Sequence, residues 1–240
     1  MLKIYVGWDP REDLAWEVCR YSLVTRAVKK PIEVIPLVQS DLRARGIYKR
    51  PVDNLASTEF SLTRFLTPSL AGQGGFAVFV DCDFLFLEDI NNVLNEIDPI
   101  KAVSVVKHEY LPKEGIKMDG CIQHTYPRKN WSSFMVFNCE HPSLKKLTPQ
   151  LVNNAEPSFL HQFKWIDDAE IGNLSITWNY LEGWYPSSVI DLKAIHYTRG
   201  GPWFEHMKNC DFANEWIAES KKMSTNKIQS KTKANHANHY

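Results

Sequence analysis

Two carboxylates one residue apart, Asp81 and Asp83, follow directly on the apolar run Phe76-Ala77-Val78-Phe79-Val80. Such a pair can point to the same side of an extended chain and offer hard oxygen ligands to Mg²⁺ or Mn²⁺, which also take phosphate oxygens. Cys82 between them then faces the core. Asp-x-Asp is also common in loops, where it caps turns, so its position decides the reading. A nearly continuous apolar run after the Gly74-Gly75 breaker reads as a strand buried on both faces of a largely parallel sheet. In open α/β sheets ligands gather at the carboxyl ends of strands, which is where both carboxylates fall.

A second candidate lies near the C-terminus, where Ile190 to His196 reads as a strand ending in Thr198-Arg199-Gly200-Gly201-Pro202-Trp203. Gly200 and Gly201 let backbone N–H groups approach a phosphate without a Cβ in the way, although the same pair also makes an ordinary turn.

The elements that position these groups open with a β-α-β unit. Leu2 to Gly7 reads as a strand, Asp13 to Val28 has helical spacing, and Ile32 to Leu37 reads as the next strand. A helix is expected over Ser57 to Thr67, closed by Pro68, and another over Asp167 to Leu174. Lys101 to Val106 and Phe134 to Asn138 are further strands. The long polar stretch between them, Lys107 to Ser133, is of a length that is uncommon unless functional.

The expected fold class is α/β, with one domain over residues 1–219 and a polar, Lys- and Asn-rich tail over 220–240 expected to be disordered. His236 and His239 in that tail are possible metal ligands by type alone.

The 240 residues carry 28 Lys plus Arg against 28 Asp plus Glu, so there is no broad positive field for nucleic acid. No apolar run reaches the ~18 residues of a membrane span. The start at Met1 runs straight into a strand, and a cytoplasmic protein is the expectation. The five cysteines (Cys19, Cys82, Cys121, Cys139 and Cys210) are odd in number and contain no Cys-x-x-Cys pair, which argues against a disulfide framework or a zinc site.

In order of motifs, residues 1 to about 205 resemble the glycogenin-like, family 8-type GT-A glycosyltransferases. The resemblance is carried by Thr63-Arg64-Phe65 to Leu70, Ala77 to Asp83, Asp89-Ile90, Phe134 to Asn138, and His196-Tyr197-Thr198 before Gly201-Pro202-Trp203. It implies a single GT-A domain with a mostly parallel central sheet flanked by helices. It also implies Mn²⁺ (or Mg²⁺) on Asp81, Asp83 and His196, and neutral imidazole suits that ion. Asp81 also belongs to the donor-binding set that the resemblance implies.

The resemblance places the nucleobase and ribose at the first loop, Gly7 to Glu12, where Asp9 is the candidate acceptor for a base N–H and Trp8 or Tyr5 the stacking ring. Asp-Pro is equally a turn and helix-start signal. Asp168, and second Asp167, occupy the place of the residue that faces the anomeric carbon, or else form an acidic first helical turn. The Lys that precedes Pro-Trp in the family is missing here. Phosphate charge then falls to Arg64 or Arg199, with Arg64 preferred. Lys117 to Gly120 and Tyr126 to Ser133 are candidates for sugar contacts.

The expected reaction is transfer of a sugar from a nucleotide sugar, UDP-linked by expectation, to a hydroxyl of a glycan or other acceptor, with retention favoured by the resemblance. A sugar-phosphate nucleotidyltransferase is the second enzyme class, although Trp8-Asp9-Pro10 is not its Gly-rich first loop. A carbohydrate-binding protein using some of the eight tryptophans is the non-enzymatic alternative.

Overall fold

Alternation of apolar strands with half-buried helices builds the molecule from its first residue. The computed structural model describes residues 1–52, 57–72, 74–109, 115–116, 122–123, 127–186 and 188–237. Strand β1 (Leu2–Gly7) delivers the loop whose Asp9 caps a 3₁₀ turn over Pro10–Glu12. Helix α1 (Asp13–Arg26) buries Ala15, Val18, Cys19, Ser22 and Leu23, an i, i+3, i+4, i+7, i+8 stripe that fixes one face to the sheet. Asp13 in its first turn and Arg26 in its last both suit the helix dipole.

Strand β2 (Ile32–Leu37) pairs parallel with β1, and α2 (Gln39–Ala44) follows it. The helix expected over Ser57 to Thr67 is instead a run of turns and a 3₁₀ segment over Thr63–Leu66. Helix α3 (Thr67–Ala71) starts where the earlier helix was expected to stop. Pro68 falls in its first turn, where a missing N–H costs nothing, so this proline opens a helix.

Strand β3 (Phe76–Val80) lies parallel beside β1, and β4 (Phe84–Phe86) leaves the sheet after the Asp81-Cys82-Asp83 link. Strand β5 (Val103–Val105) and a two-rung antiparallel ladder of β6 (Gly115–Ile116) and β7 (Ile122–Gln123) precede β8 (Phe134–Asn138). Then come α4 (Pro149–Asn154), α5 (Pro157–His161) and β9 (Ile171–Asn173). The helix expected over Asp167 to Leu174 is a single 3₁₀ turn at Asp168–Glu170 that runs into β9. Pairing of Ile171 with Val103 holds this segment extended.

The main sheet has the order β2-β1-β3-β8-β5-β9, and all its strands run the same way except β8, which is antiparallel to both neighbours. The mostly parallel sheet expected from the sequence is therefore found. Ile4, Val6, Val78, Phe79, Val80, Phe134 and Phe137 are wholly buried in it, each contributing ~1.5–3 kcal/mol relative to an exposed side chain.

A second sheet pairs β10 (Tyr180–Leu181) with β11 (Ala194–His196), and β11 with β4. The strand expected from Ile190 is thus shortened to its last three residues. This sheet packs a smaller core of Val18, Leu85, Tyr180, Ile195, Tyr197, Trp216 and Met223.

Helix α6 (Ala213–Ala237) supplies the last two of those residues and continues through the stretch expected to be disordered. Buried Trp216 and Met223 anchor its first turns, and Glu219 pairs with Arg26 of α1. Polar composition alone misses this, because two well-spaced apolar residues suffice to seat a helix. His236 lies on the backbone of α6, and His239 falls outside the described residues. No helix among the described residues is long and apolar enough to cross a membrane.

Candidate active site

Because β4 follows Asp81-Cys82-Asp83 without a loop, its partner β11 brings His196 beside the carboxylates. His196 lies opposite Phe84 in the ladder, its ring stacked on that phenyl at 4.2 Å, and Tyr197 N–H donates to the Asp83 carbonyl at 2.9 Å. One donor atom from each of Asp81, Asp83 and His196 lies within 4.8 Å of the others. His196 Nε2 stands 3.2 Å from Asp83 Oδ1.

The three expected metal ligands therefore converge. Two carboxylates and an imidazole form a donor set that fits Mn²⁺ or Mg²⁺, the harder oxygens suiting either ion and the nitrogen favouring Mn²⁺. Cys82 is wholly buried behind them, as expected, and burial pushes its thiol well above the usual range.

Two of the three ligands, His196 and Asp81, are each held by a partner whose role the sequence did not reveal. Asn179, wholly buried, places its Oδ1 2.8 Å from His196 Nδ1 and donates Nδ2–H to Ser133 Oγ at 2.9 Å. Ser133 Oγ donates to the Asn130 carbonyl at 2.7 Å, which fixes the amide with its oxygen toward the histidine. Nδ1 then carries the proton, and Nε2 faces Asp83. The only outward mark of Asn179 is a polar residue between Trp178 and Tyr180.

Arg64 Nη1 lies 3.0 Å from Asp81 Oδ1 and donates to the Ser132 carbonyl at 2.9 Å, while the guanidinium covers the Phe79 ring at 5.0 Å. It is 6% exposed, so the arginine expected to reach the donor is built into the wall and orients Asp81. A further acid, Glu12, sits beside Cys82. Desolvation, then the charge of Asp83, pushes its carboxyl up to about 7.

In the first loop, Asp9 is turned inward. Asp9 is wholly buried and accepts from Arg11 N–H at 2.9 Å, Arg11 Nε at 3.0 Å, Arg11 Nη2 at 2.8 Å and Glu59 N–H at 3.1 Å. Burial acts to raise its carboxyl, but the Arg11 and Glu59 hydrogen bonds hold it below the usual carboxylate range. A carboxylate so engaged has its acceptor positions taken up by the loop itself. Tyr5 is in the core of β1, 4% exposed, and cannot offer a ring face to a base. Trp8 donates Nε1–H to Asp13 at 2.9 Å.

Gly200, which lines a cavity with Asp83, and Gly201 are both required by the backbone here. Gly200 has φ +90° and spends its N–H on the Tyr197 carbonyl at 2.8 Å. A Cβ on Gly201 would lie 2.2 Å from the Trp203 ring, so that glycine makes room for the indole.

Asp167 and Asp168 are both exposed and neither lines the cavities at the three ligands. Asp168 instead pairs with Arg128 at 2.6 Å. The sugar-contact candidates Lys117 to Gly120 and Tyr126 lie outside the described residues. Of the rest, Lys129, Asn130, Ser132 and Ser133 line the cavity at Asp81.

Three cavities meet at Thr58. One of about 110 Å³ holds Asp81, Asp83, His196 and Arg64. One of about 280 Å³ holds Asp83, Arg11, Arg199 and Gly200, and one of about 560 Å³ holds Asp9, Gln39, Tyr48 and Arg50.

No protein-family model matches the chain. It is 50% identical over 223 residues to "Protein CDI" of Arabidopsis thaliana, covering 90% of this chain and 85% of that protein. Among solved structures it resembles the bifunctional glycosyltransferase WbbM, with a TM-score of 0.62 at 15% identity. The match covers 91% of this chain but only 49% of WbbM, so the chain spans about half of that protein. It also resembles the galactosyltransferase LgtC in complex with donor and acceptor sugar analogs, with a TM-score of 0.58 at 10% identity over 92% of this chain and 95% of LgtC. At these identities the likeness establishes the GT-A glycosyltransferase fold.

Proposed function

We propose, for a chain that belongs to the family of the Arabidopsis thaliana protein CDI and has the GT-A fold, that it is a metal-dependent glycosyltransferase. It moves a sugar from a nucleoside-diphosphate sugar, UDP-linked by expectation, to a hydroxyl of a glycan or other acceptor. The observation that carries this reading is the convergence of Asp81, Asp83 and His196 within 4.8 Å at the carboxyl end of β3.

Those three residues would hold Mn²⁺ or Mg²⁺, which supplies positive charge to the diphosphate as the glycosidic bond breaks. The chain's own groups prepare that moment. Asn179 keeps the proton on His196 Nδ1 so that Nε2 keeps its lone pair for ligation, and Arg64 stops the Asp81 carboxylate from rotating. Because these orientations are set by folding, little reorganisation remains when charge develops.

The cavity of about 560 Å³ beside Asp9 and Tyr48 is of ligand-site size and is the proposed nucleoside pocket, with Asp9 shaping the loop from within. The acceptor is assigned to the side of Lys129 and Asn130, which border the three ligands.

The test is release of nucleoside diphosphate from a panel of UDP- and GDP-sugars, with and without Mn²⁺. Release from a UDP-sugar that needs Mn²⁺ and is lost in Asp83→Ala is expected. Sugar binding without release from any donor would return the chain to the carbohydrate-binding class.

A further inference from the structure

Charge is shared unevenly along this chain. Five of its 28 basic residues and none of its 28 acidic ones fall in residues 220–240, which leaves the rest of the protein with an excess of acid. All five are lysines on α6: Lys221, Lys222, Lys227, Lys231 and Lys233. Contacts with α1 fix which side of α6 faces outward. Glu219 accepts from Arg26 Nη2 at 3.0 Å, Asn226 Nδ2 donates to the Tyr21 hydroxyl at 2.6 Å and Lys227 Nζ donates to Glu17 at 2.9 Å, so the two helices run antiparallel. Trp216 and Met223 are buried on that same side. Helical periodicity then turns Lys221, Lys222, Thr225, Ile228 and Gln229 away from the body, and all five are exposed. Lys222 lies 3.7 Å from Glu219, yet its side chain stays 67% exposed. From Ala218 onward the one acid of α6 is Glu219, which is buried against Arg26, so nothing acidic on the helix offsets the outward lysines. Ile228 stands 67% exposed among them. The start of α1 directly follows Arg11 and Glu12, which line the cavity that holds Asp83, so the antiparallel α6 runs its later turns toward the rim of that cavity.

We propose that the outer side of α6 docks this protein on an anionic membrane surface, with its lysines on the lipid headgroups and Ile228 entering the headgroup layer. The proposal does not depend on the donor reading above. A helix with about four or more lysines and little opposing charge is attracted to acidic lipid, and one that is too polar to cross the bilayer lies on it. The aliphatic Ile228 favours lipid over nucleic acid, whose binders rely on arginine and on stacking rings. Residues 218–237 contain no Arg, Phe, Tyr or Trp. Docking by α6 keeps the rim of the cavity beside the lipid surface.

The experiment is flotation of the full chain with vesicles of phosphatidylcholine alone and of phosphatidylcholine mixed with phosphatidylserine, beside a heparin column. Retention on the mixed vesicles, absent on phosphatidylcholine and released by added sodium chloride, is expected. At roughly fivefold for each lysine, Lys221→Gln combined with Lys222→Gln should weaken that binding by roughly 25-fold. Arg26 still holds Glu219 in this variant, so α6 stays seated. Ile228→Ser should weaken binding by about tenfold, the scale of one aliphatic side chain leaving lipid, and a surface that only attracts polyanions would not respond to it. All three replaced side chains are exposed, so the fold survives the changes. Equal retention on phosphatidylcholine alone, or retention unmoved by the lysine pair or by Ile228→Ser, overturns the proposal. So does the lack of retention on either vesicle, and capture by heparin in that case assigns the lysines to a soluble polyanion.

Discussion

Asn179 and His196 form a single orienting pair: the amide oxygen sits 2.8 Å from Nδ1, and the amide nitrogen is spent on Ser133. Partners of this kind on ligating histidines typically affect metal affinity by ~10–100-fold. Asn179→Ala should therefore weaken Mn²⁺ binding by about that factor while Asp81 and Asp83 remain in place. Manganese titration followed by electron paramagnetic resonance measures it, and unchanged affinity would remove the orienting role.

Arg64 joins Asp81, Ser132 and two phenyl rings from a site that is nearly closed to water. Removing one partner of a buried ion pair typically costs ~3–5 kcal/mol, because the other charge is left without compensation. Urea unfolding of Arg64→Ala should show a loss of that size. Arg64→Lys should recover part of it, since the charge returns without the fork.

His108 is 6% exposed, with Nδ1 2.6 Å from the Tyr185 hydroxyl and its ring stacked on the Tyr185 ring. Burial, with a smaller contribution from the charge of His196, pushes it down to about 3. A histidine lowered in the folded state leaves the unfolded chain to take the proton first. Stability is then fully present above about pH 6.5 and falls as pH drops from there toward 3, by up to ~1.4 kcal/mol per pH unit for this group. Urea midpoints between pH 7.5 and 5 should show that decline, and His108→Gln should reduce its slope.

Gly201→Ala places a methyl against the Trp203 ring, which is itself wedged between Tyr197 and Trp216. Forced displacement of a packed ring costs ~1–3 kcal/mol. A lowered melting temperature is expected, and no change would mean that the indole moves freely.

What the sequence made legible was what a continuous local pattern can carry. β1, β3 and β8 are apolar runs, and the chemistry at Asp81 and Asp83 followed from where such a run ends. His196 needed the resemblance, because nothing local separates a ligand from a buried histidine. The expected helix at Asp167 failed because β9 owes its extension to β5, a pairing between segments far apart in the chain. Asp9 is held chiefly by Arg11, two residues on, and only its burial and the Glu59 N–H lay beyond a local reading, whereas Arg64 meets Asp81 and Ser132 from other parts of the chain, so its inward role was invisible. Asn179 was missed for the same reason.

The reversed direction of β8 has a consequence for how this molecule can diverge. β5 runs with β3 and ends at the edge that carries Asp81, while β8 runs against it and begins at that edge, where Ser133 O accepts from Asp81 N–H at 3.0 Å. Both attachment points of the Lys107–Ser133 connection therefore stand at the rim of the metal-ligand cluster. Its middle, from Tyr110 to Tyr126, can lengthen, shorten or be rewritten without shifting the register of any rung in that sheet, whereas Asn130, Ser132 and Ser133 at its end support His196 and Arg64. Descendants of this chain can exchange that middle stretch while inheriting the carboxylates, the imidazole and their supports untouched.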